Sequence, residues 1–456
     1  MNTIEKAKSW VKQSITVKLI TISIIMLCLL IPRSMITSLI YERKASSQNA
    51  IKEVSSKWAG NQKISGPILT IPLDYKQTKE VVSDDDDSKT KTKLITWTSD
   101  LRILPSELNI TGEVIPTERN RGIYKILLYD SDLNLSGKIK IPEFNQKHLD
   151  NIRWKDAYIT LAISDLRGIQ EKINFKLNDH ILPVESGSKI SEYSSGITMA
   201  CSDLEQWAKE DISFSVDLNL QGSGRMDFTP DGDVTQINIK SSWPDPSFDG
   251  YVLPDDRIVT DEGFEATWKL LQLNRNYPSS WTNDENFIRQ TSSRFGFTMY
   301  ESNDHYQKSL RSAKYGAMII GLNFLVFFLV EILNKKRIHP LQYILVGLAL
   351  TLFFTMLLAL SEHITYNMSF LLSASTTILL VSLYTKSVLG SWRLAGMMGV
   401  VLTGIYGFLF FTLLSNDYAL LIGTIGLTAI LGATMYFTRN IQWYEKIQIQ
   451  TNLESA

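Results

Sequence analysis

Cysteine and histidine are scarce in this sequence of 456 residues, which holds two of the first and five of the second. Cys28 falls inside an apolar run and Cys201 in a polar stretch. A disulfide needs its two Cα atoms within about 7 Å, and such different settings disfavour one. The histidines are scattered singly and no Cys/His spacing fits zinc, haem or an iron–sulfur cluster, so neither metal nor cofactor is expected. An excess of one charge is missing as well: 46 Lys and Arg stand against 47 Asp and Glu, for a net charge of -1. Nucleic-acid binding needs concentrated basic residues for phosphates, and the composition argues against it. Catalytic signatures are absent too, with no G-x-S-x-G elbow, H-E-x-x-H or Walker A loop. Ser186-Gly187-Ser188-Lys189 fits S-x-x-K, but its S-D-N and K-T-G companions are missing and Gly187 suggests a loop instead of a helix start. The chain is expected not to be an enzyme.

What is present is segregation. The apolar residues concentrate in a short N-terminal and a long C-terminal block, separated by a polar stretch of roughly 270 residues, enough for a large domain. The first run, about Leu19–Ile40, holds Pro32 and Arg33 and follows Lys6, Lys8, Lys12 and Lys18. It is about the 20 residues that a hydrocarbon core of about 30 Å requires. A cleaved signal peptide shares the basic start, but the apolar character persists past Pro32 without an A-x-A site, which favours an uncleaved anchor. Five further spans follow at about Ala317–Leu333, Leu341–Leu360, Phe370–Tyr384, Leu394–Leu414 and Ala419–Phe437, the third being the shortest.

Loop charges test this division independently. Lys335, Lys336 and Arg337, then Lys386 and Arg393, then Arg439 and Lys446 occupy alternate loops, whereas Ser361–Asn367 and Ser415–Tyr418 contain no Lys or Arg. The positive-inside rule then has one solution: both termini cytoplasmic, and the polar stretch outside.

That stretch begins with a helical stalk, Tyr41–Trp58, where Ile51, Val54 and Trp58 recur at helical spacing until Gly66-Pro67 stops the pattern. Beyond it the period is two. Ile212, Phe214, Val216, Leu218 and Leu220 alternate with mostly polar residues; so do Leu133, Leu135, Ile139 and Ile141, and Ile159, Leu161 and Ile163. Tyr124, Ile126 and Leu128 form another candidate strand, as do Ile237 and Ile239. Pro230-Asp231-Gly232-Asp233 reads as the turn of a hairpin joining Met226–Phe228 to Gln236–Ile239. Many short strands indicate an antiparallel, sandwich-like fold. The acidic run Asp84–Asp87 lacks alternating ligand spacing and a turn glycine, so it reads as a solvated loop in preference to a calcium site.

Polar residues near the bilayer are costly and call for a role. Glu331 and Asn323 share the second span, Arg33 lies near the outer end of the first, and Glu362 and His363 follow the third. One reading is a proton or ion path. The favoured reading pairs Glu331 with Lys335 or Arg337 and lets Arg33 snorkel outward. The stretch Trp243–Trp268, with Trp243, Phe248 and Trp268, either fixes a sheet corner or lines an aromatic groove, the first being preferred. His339 and Pro340 set a short turn whose basic neighbours meet anionic headgroups.

Several motifs resemble the CreD family of inner-membrane proteins. They are Glu42-Arg43, Ala50, Glu53, Trp58, Gln62 and Gly66-Pro67; Ser242-Trp243-Pro244 with Pro246-Ser247-Phe248 and Gly250; Leu253-Pro254, Arg257, Gly263-Phe264, Ala266 and Trp268; and Lys314-Tyr315. Phe327-Phe328 with Glu331, Arg337-Ile338-His339-Pro340-Leu341-Gln342-Tyr343, Val346–Leu350 and Leu360–His363 complete the set. The resemblance implies a bacterial inner-membrane protein with a large periplasmic domain, linked to an envelope-stress response and to β-lactam and colicin tolerance. It implies no reaction and carries over no catalytic residue, though Glu331, His339, Glu362 and His363 fall inside its motifs.

The expected organisation is a cytoplasmic 1–18, a first span 19–40, a periplasmic β-rich domain with a helical stalk at 41–310, a five-helix membrane domain at 311–438 and a tail at 439–456. The expected function is support of envelope integrity by binding a periplasmic protein or cell-wall partner, with the lipid bilayer as the other partner. The alternatives are an ion-coupled transporter or channel using Asn323, Glu331, Glu362 and His363, and a periplasmic hydrolase.

Overall fold

A computed structural model of the chain describes residues 15–83, 86–144, 147–282, 285–299, 305–334, 336, 338–415 and 418–439. It forms two compact units, Met1–Gln48 with Asn303–Ala456, and Asn49–Ser302. In chain order the described helices are α1 (Ile15–Lys57), α2 (Leu204–Trp207), α3 (Glu285–Ser292), α4 (His305–Lys314), α5 (Gly316–Leu333), α6 (Pro340–Ser361), α7 (Tyr366–Leu389), α8 (Trp392–Leu414) and α9 (Ala419–Thr438). Among them α1, α5, α6, α7 and α8 are long and apolar enough to cross a bilayer, and α9 is a further apolar helix. The chain is a membrane protein of one plus five apolar helices with a β-rich unit between the first and the rest.

The third C-terminal span corrects its expected length. At 24 residues α7 is the longest of the five, not the shortest. Polar residues hid its ends, and the helix absorbs them. Ser369, Thr377 and Thr385 donate to carbonyls one turn earlier at 3.0, 2.9 and 2.7 Å, so these three hydroxyls are satisfied within the helix itself. Gly390, at φ 66°, then adopts the left-handed conformation that ends helices, its N–H donating to Lys386 O.

The β unit is built from two sheets. Among the described residues one has eight strands, running from edge to edge as Asp256–Thr260, Gly263–Leu271, Val234–Ser241, Glu107–Arg121, Tyr124–Ile139, Ile212–Ser223, Phe175–Leu177 and His180–Leu182. The other has ten, its main path being Pro246–Gly250, Phe295–Met299, Arg225–Phe228, Gln62–Ser83, Tyr158–Ile163, Ile197–Ala200 and Val184–Ser186. Pairing is antiparallel except where Arg225–Phe228 runs parallel to Gln62–Ser83 and Val234–Ser241 parallel to Glu107–Arg121. Leu69, Ile71, Leu135, Val216, Leu218, Ile237 and Trp268 fill the main core, all essentially inaccessible.

Period-two patterning placed these strands well, with four corrections. Tyr124–Leu128 and Leu133–Ile139 are parts of one strand of 16 residues. Tyr158–Ile163 is buried on both faces, because a second layer of Ile190, Tyr193, Tyr277, Trp281 and Phe287 covers its outer side. The stalk helix ends at Lys57, and Gly66-Pro67 lies inside the next strand, where the pairing register shifts between Ser65 and Ile68. Finally, Phe228 and Val234 belong to different sheets, so Pro230–Asp233 is a crossover and not a hairpin turn. Of the acidic run, Asp84 and Asp85 lie outside the described residues, while Asp86 and Asp87 are already within a strand.

Helix becomes strand at a small polar junction. Asp165 accepts from Gly60 N–H at 3.0 Å and from the Arg167 guanidinium at 2.6 and 2.9 Å, and Arg167 also reaches the Ser56 carbonyl near the end of α1. Gln62 donates to the carbonyls of Asp165 and Gln221 at 3.1 and 2.7 Å. The Arg167 hydrogen bond, opposed by partial burial and aided by the Gly60 N–H, lowers the Asp165 carboxyl to a pKa of about 2.

Two predictions follow from packing and charge. Trp268→Ala should lower the stability of the β unit by about 3–5 kcal/mol in denaturant titrations. Trp268→Phe should cost much less, since the indole N–H has no hydrogen-bond partner among the described residues. A folded pKa of about 2 lies below the ordinary carboxylate value, so the Asp165 contribution is complete above about pH 4 and is lost as pH falls toward about 2. The stability difference between wild type and Asp165→Asn should therefore be constant near neutrality and shrink across that acidic window.

Candidate functional site

The helical unit's polar side chains gather in two places. At the first, Glu331 closes α5 with only 2 % of its surface exposed. Its carboxylate accepts from the Lys18 ammonium of α1, from Ile338 N–H at 2.6 Å and from the Tyr343 hydroxyl of α6 at 2.9 Å. The expected pairing with Lys335 or Arg337 falls on side chains outside the described residues. Lys18, with its long stem, supplies the cation from a neighbouring helix instead. Tyr343 stands edge-on to Phe324 at 5.5 Å, so an apolar wall lies directly beneath the polar group.

At the second place Glu362, just past α6, receives a two-pronged contact from Arg43 of α1 at 2.7 and 2.5 Å and the Tyr306 hydroxyl of α4 at 3.0 Å. A planar guanidinium facing a carboxylate in this way is the strong form of an ion pair. Burial works against ionisation of Glu362, but the Arg43 and Tyr306 hydrogen bonds and the Arg43 charge more than offset it and hold the carboxyl below its usual value. Arg33 donates to Ala313 O at 3.0 Å and Lys314 O at 3.3 Å, capping the C-terminal end of α4, where unpaired carbonyls carry partial negative charge.

The remaining positions separate from these clusters. Asn323 is fully buried and donates to Ile319 O of its own helix at 2.8 Å. His339 is exposed and serves as the N-cap of α6: its Nδ1 accepts from Leu341 N–H, and Gln342 accepts from His339 N–H. His363 is exposed. In the β unit, Trp268 contacts Phe248 and Phe295 with ring centroids at 5.8 and 5.9 Å, inside the core between the sheets. Trp243 is half-buried and bonds to Asp245 O through its indole. Ser186 ends an exposed edge strand, and the Lys189 ammonium lies 5.4 Å from the Tyr158 ring centroid.

Composition and spacing missed one buried site entirely. Asp231, assigned to a hairpin turn, is inaccessible and accepts from Gly66 N–H at 2.5 Å, Gln290 at 2.6 Å and the Thr229 hydroxyl. Tyr277 donates to Pro230 O at 3.0 Å. Arg275, its side chain 1 % exposed, binds Pro230 O, Gly232 O and Asp233. Gly66, at φ 98°, presents its N–H in a conformation that side chains disfavour. Burial, with the Asp231 charge adding to it, pushes the Tyr277 hydroxyl far above its ordinary pKa. The only sequence signal was the density of Asp and Gly at a turn, which fits exposed and buried turns equally.

Fold and polar contacts together define a polytopic membrane protein carrying a two-sheet extramembrane unit. The chain matches the family described as "Inner membrane protein CreD" over residues 14–444. It is 31 % identical over 421 residues to the Inner membrane protein CreD of Escherichia coli (strain K12), covering 92 % of this chain and 91 % of the relative. The chain belongs to the CreD family of inner-membrane proteins.

Lys18→Met should destabilise the helical unit in detergent thermal melts, because Glu331 would keep a buried charge without its cation. Adding Glu331→Gln should recover much of that loss, since Gln removes the charge, its oxygen accepts from Ile338 N–H and its amide N–H donates to the Tyr343 hydroxyl. Adding Glu331→Leu should recover less, leaving both donors unpaired.

Proposed function

We propose that this is an envelope-integrity protein whose β unit lies in the periplasm and binds a partner there, with the helical unit as its anchor. The supporting observation is the sidedness of charge at the helix ends. Lys18 meets Glu331 at the α5–α6 connection, so the start of α1 and that connection share one side. Arg43 meets Glu362 at the α6–α7 connection, which shares the other. Lys336, Lys386 and Arg393 fall at connections of the first side, and residues 361–367 on the second carry no Lys or Arg. The positive-inside rule makes the Lys18 side cytoplasmic. The chain runs from Arg43 into the β unit, which is thereby periplasmic. In this reading the ionisable groups of the bundle serve to hold helices together, and the protein acts by binding, supporting the envelope and its stress response.

Thiol accessibility tests the orientation. In a Cys28→Ser/Cys201→Ser background, a membrane-impermeant maleimide added to intact cells should label Asn367→Cys and reach Trp392→Cys only after lysis. The opposite labelling pattern would contradict the orientation.

A further inference from the structure

The strand Asp256–Thr260 ends the eight-stranded sheet, and all five of its residues are exposed. Ile258 and Val259 are 63 % and 47 % exposed although they alternate across the strand, so apolar surface lies on both of its faces. Proteins usually protect such an edge with proline, lysine, a bulge or a covering element. Here, among the described residues, the protection is charge, and it is predominantly negative. Asp255, Asp256, Asp261 and Glu262 surround Arg257, and all five are exposed.

At the start of the strand the surface deepens into a pocket of about 660 Å³ lined by Tyr251, Val252, Leu253, Asp255, Lys269, Leu270 and Asn274. Leu253 is 61 % exposed beside it, and Asp255 ties its floor by accepting from Lys269 N–H at 2.7 Å. An open edge supplies main-chain donors and acceptors at any sequence. A neighbouring pocket, with Tyr251, Val252, Leu253 and Leu270 among its lining, supplies a place for one side chain, and flanking carboxylates select for cations. Those are the three requirements of strand addition by a peptide.

We infer that Asp256–Thr260 is a docking edge for an extended, basic segment of another polypeptide, which adds as the ninth strand of this sheet and places an apolar side chain in the Tyr251–Leu253 pocket. This rests on the partner-binding reading above and narrows it to a protein partner at a stated surface. A second copy of this chain fits less well, because pairing of two such edges would bring their acidic flanks together.

The test uses the full-length chain in detergent and two labelled peptides of equal charge, one alternating Lys and Val and one with proline at every third position. Fluorescence anisotropy should show binding of the first peptide at least tenfold tighter than of the second, weakening with salt. Ile258→Ser/Val259→Ser and, separately, Asp256→Asn/Asp261→Asn/Glu262→Gln should each reduce it about tenfold, with thermal melts unchanged. Ile181→Ser, at the opposite edge of the same sheet, should leave it intact. Equal binding of the two peptides, or no binding of either, would overturn the inference. In cells, a photocrosslinking residue at Ile258 should give an adduct mapping to a basic segment of a different protein. Adducts only from position 181 would overturn this docking edge while leaving the partner-binding reading standing. Adducts from neither position would count against both, and an adduct to a second copy of this chain would replace the inference with self-association.

Discussion

Lys18 with Glu331 and Arg43 with Glu362 tie α1 to the rest of the helical unit at two heights. Lys18 and Arg43 are about 25 positions apart, which is ~37 Å of helix at about 1.5 Å per residue. A hydrocarbon core is about 30 Å thick, so both pairs fall at its borders, where charges can be partly buried without crossing the apolar centre. In lipid there is no hydrophobic force between helices, and specific polar contacts and close packing take its place. These contacts act beside the packing of Leu29 and Ile40, which are buried on the same helix. Arg33, by capping α4, adds a third contact of the same kind.

The β unit has a comparable fixed point in the crossover around Asp231. Strands on either side of it belong to different sheets, and each pairs in parallel with a neighbour while the other pairings are antiparallel. A segment that leaves one sheet for the other cannot satisfy its backbone groups through a ladder. Arg275 and Tyr277 provide partners for its carbonyls, and Gln290 for the Asp231 carboxylate, from segments far along the chain. A buried carboxylate without them would cost far more than the hydrogen bonds recover.

Much of this was legible from residues alone, for identifiable reasons. Span number and the β character of the middle stretch rest on composition and period, which are local properties. Leu135, Val216 and Ile237 point inward because an alternating strand offers no other choice. The choice of charge partners was not legible, because it depends on which helices lie side by side. Glu331 was assigned to the loop cations nearest in sequence, while its cation comes from Lys18, more than 300 residues away. Asp231 was misjudged for the same reason: a turn motif records backbone geometry and says nothing about what later folds over it. The length of α7 was underestimated since hydropathy counts Ser and Thr as polar, whereas in this helix the hydroxyls of Ser369, Thr377 and Thr385 are satisfied by the preceding turn.

Family membership and fold describe an inner-membrane protein whose first helix is tied to the helical unit by ion pairs at Lys18 and Arg43. The most direct measurement of that claim is a charge exchange at the pair between Arg43 and Glu362. Arg43→Glu and Glu362→Arg should each lower the melting temperature of the full-length protein in detergent, and the double exchange should recover most of the loss. A double variant no more stable than the weaker single one would contradict the account.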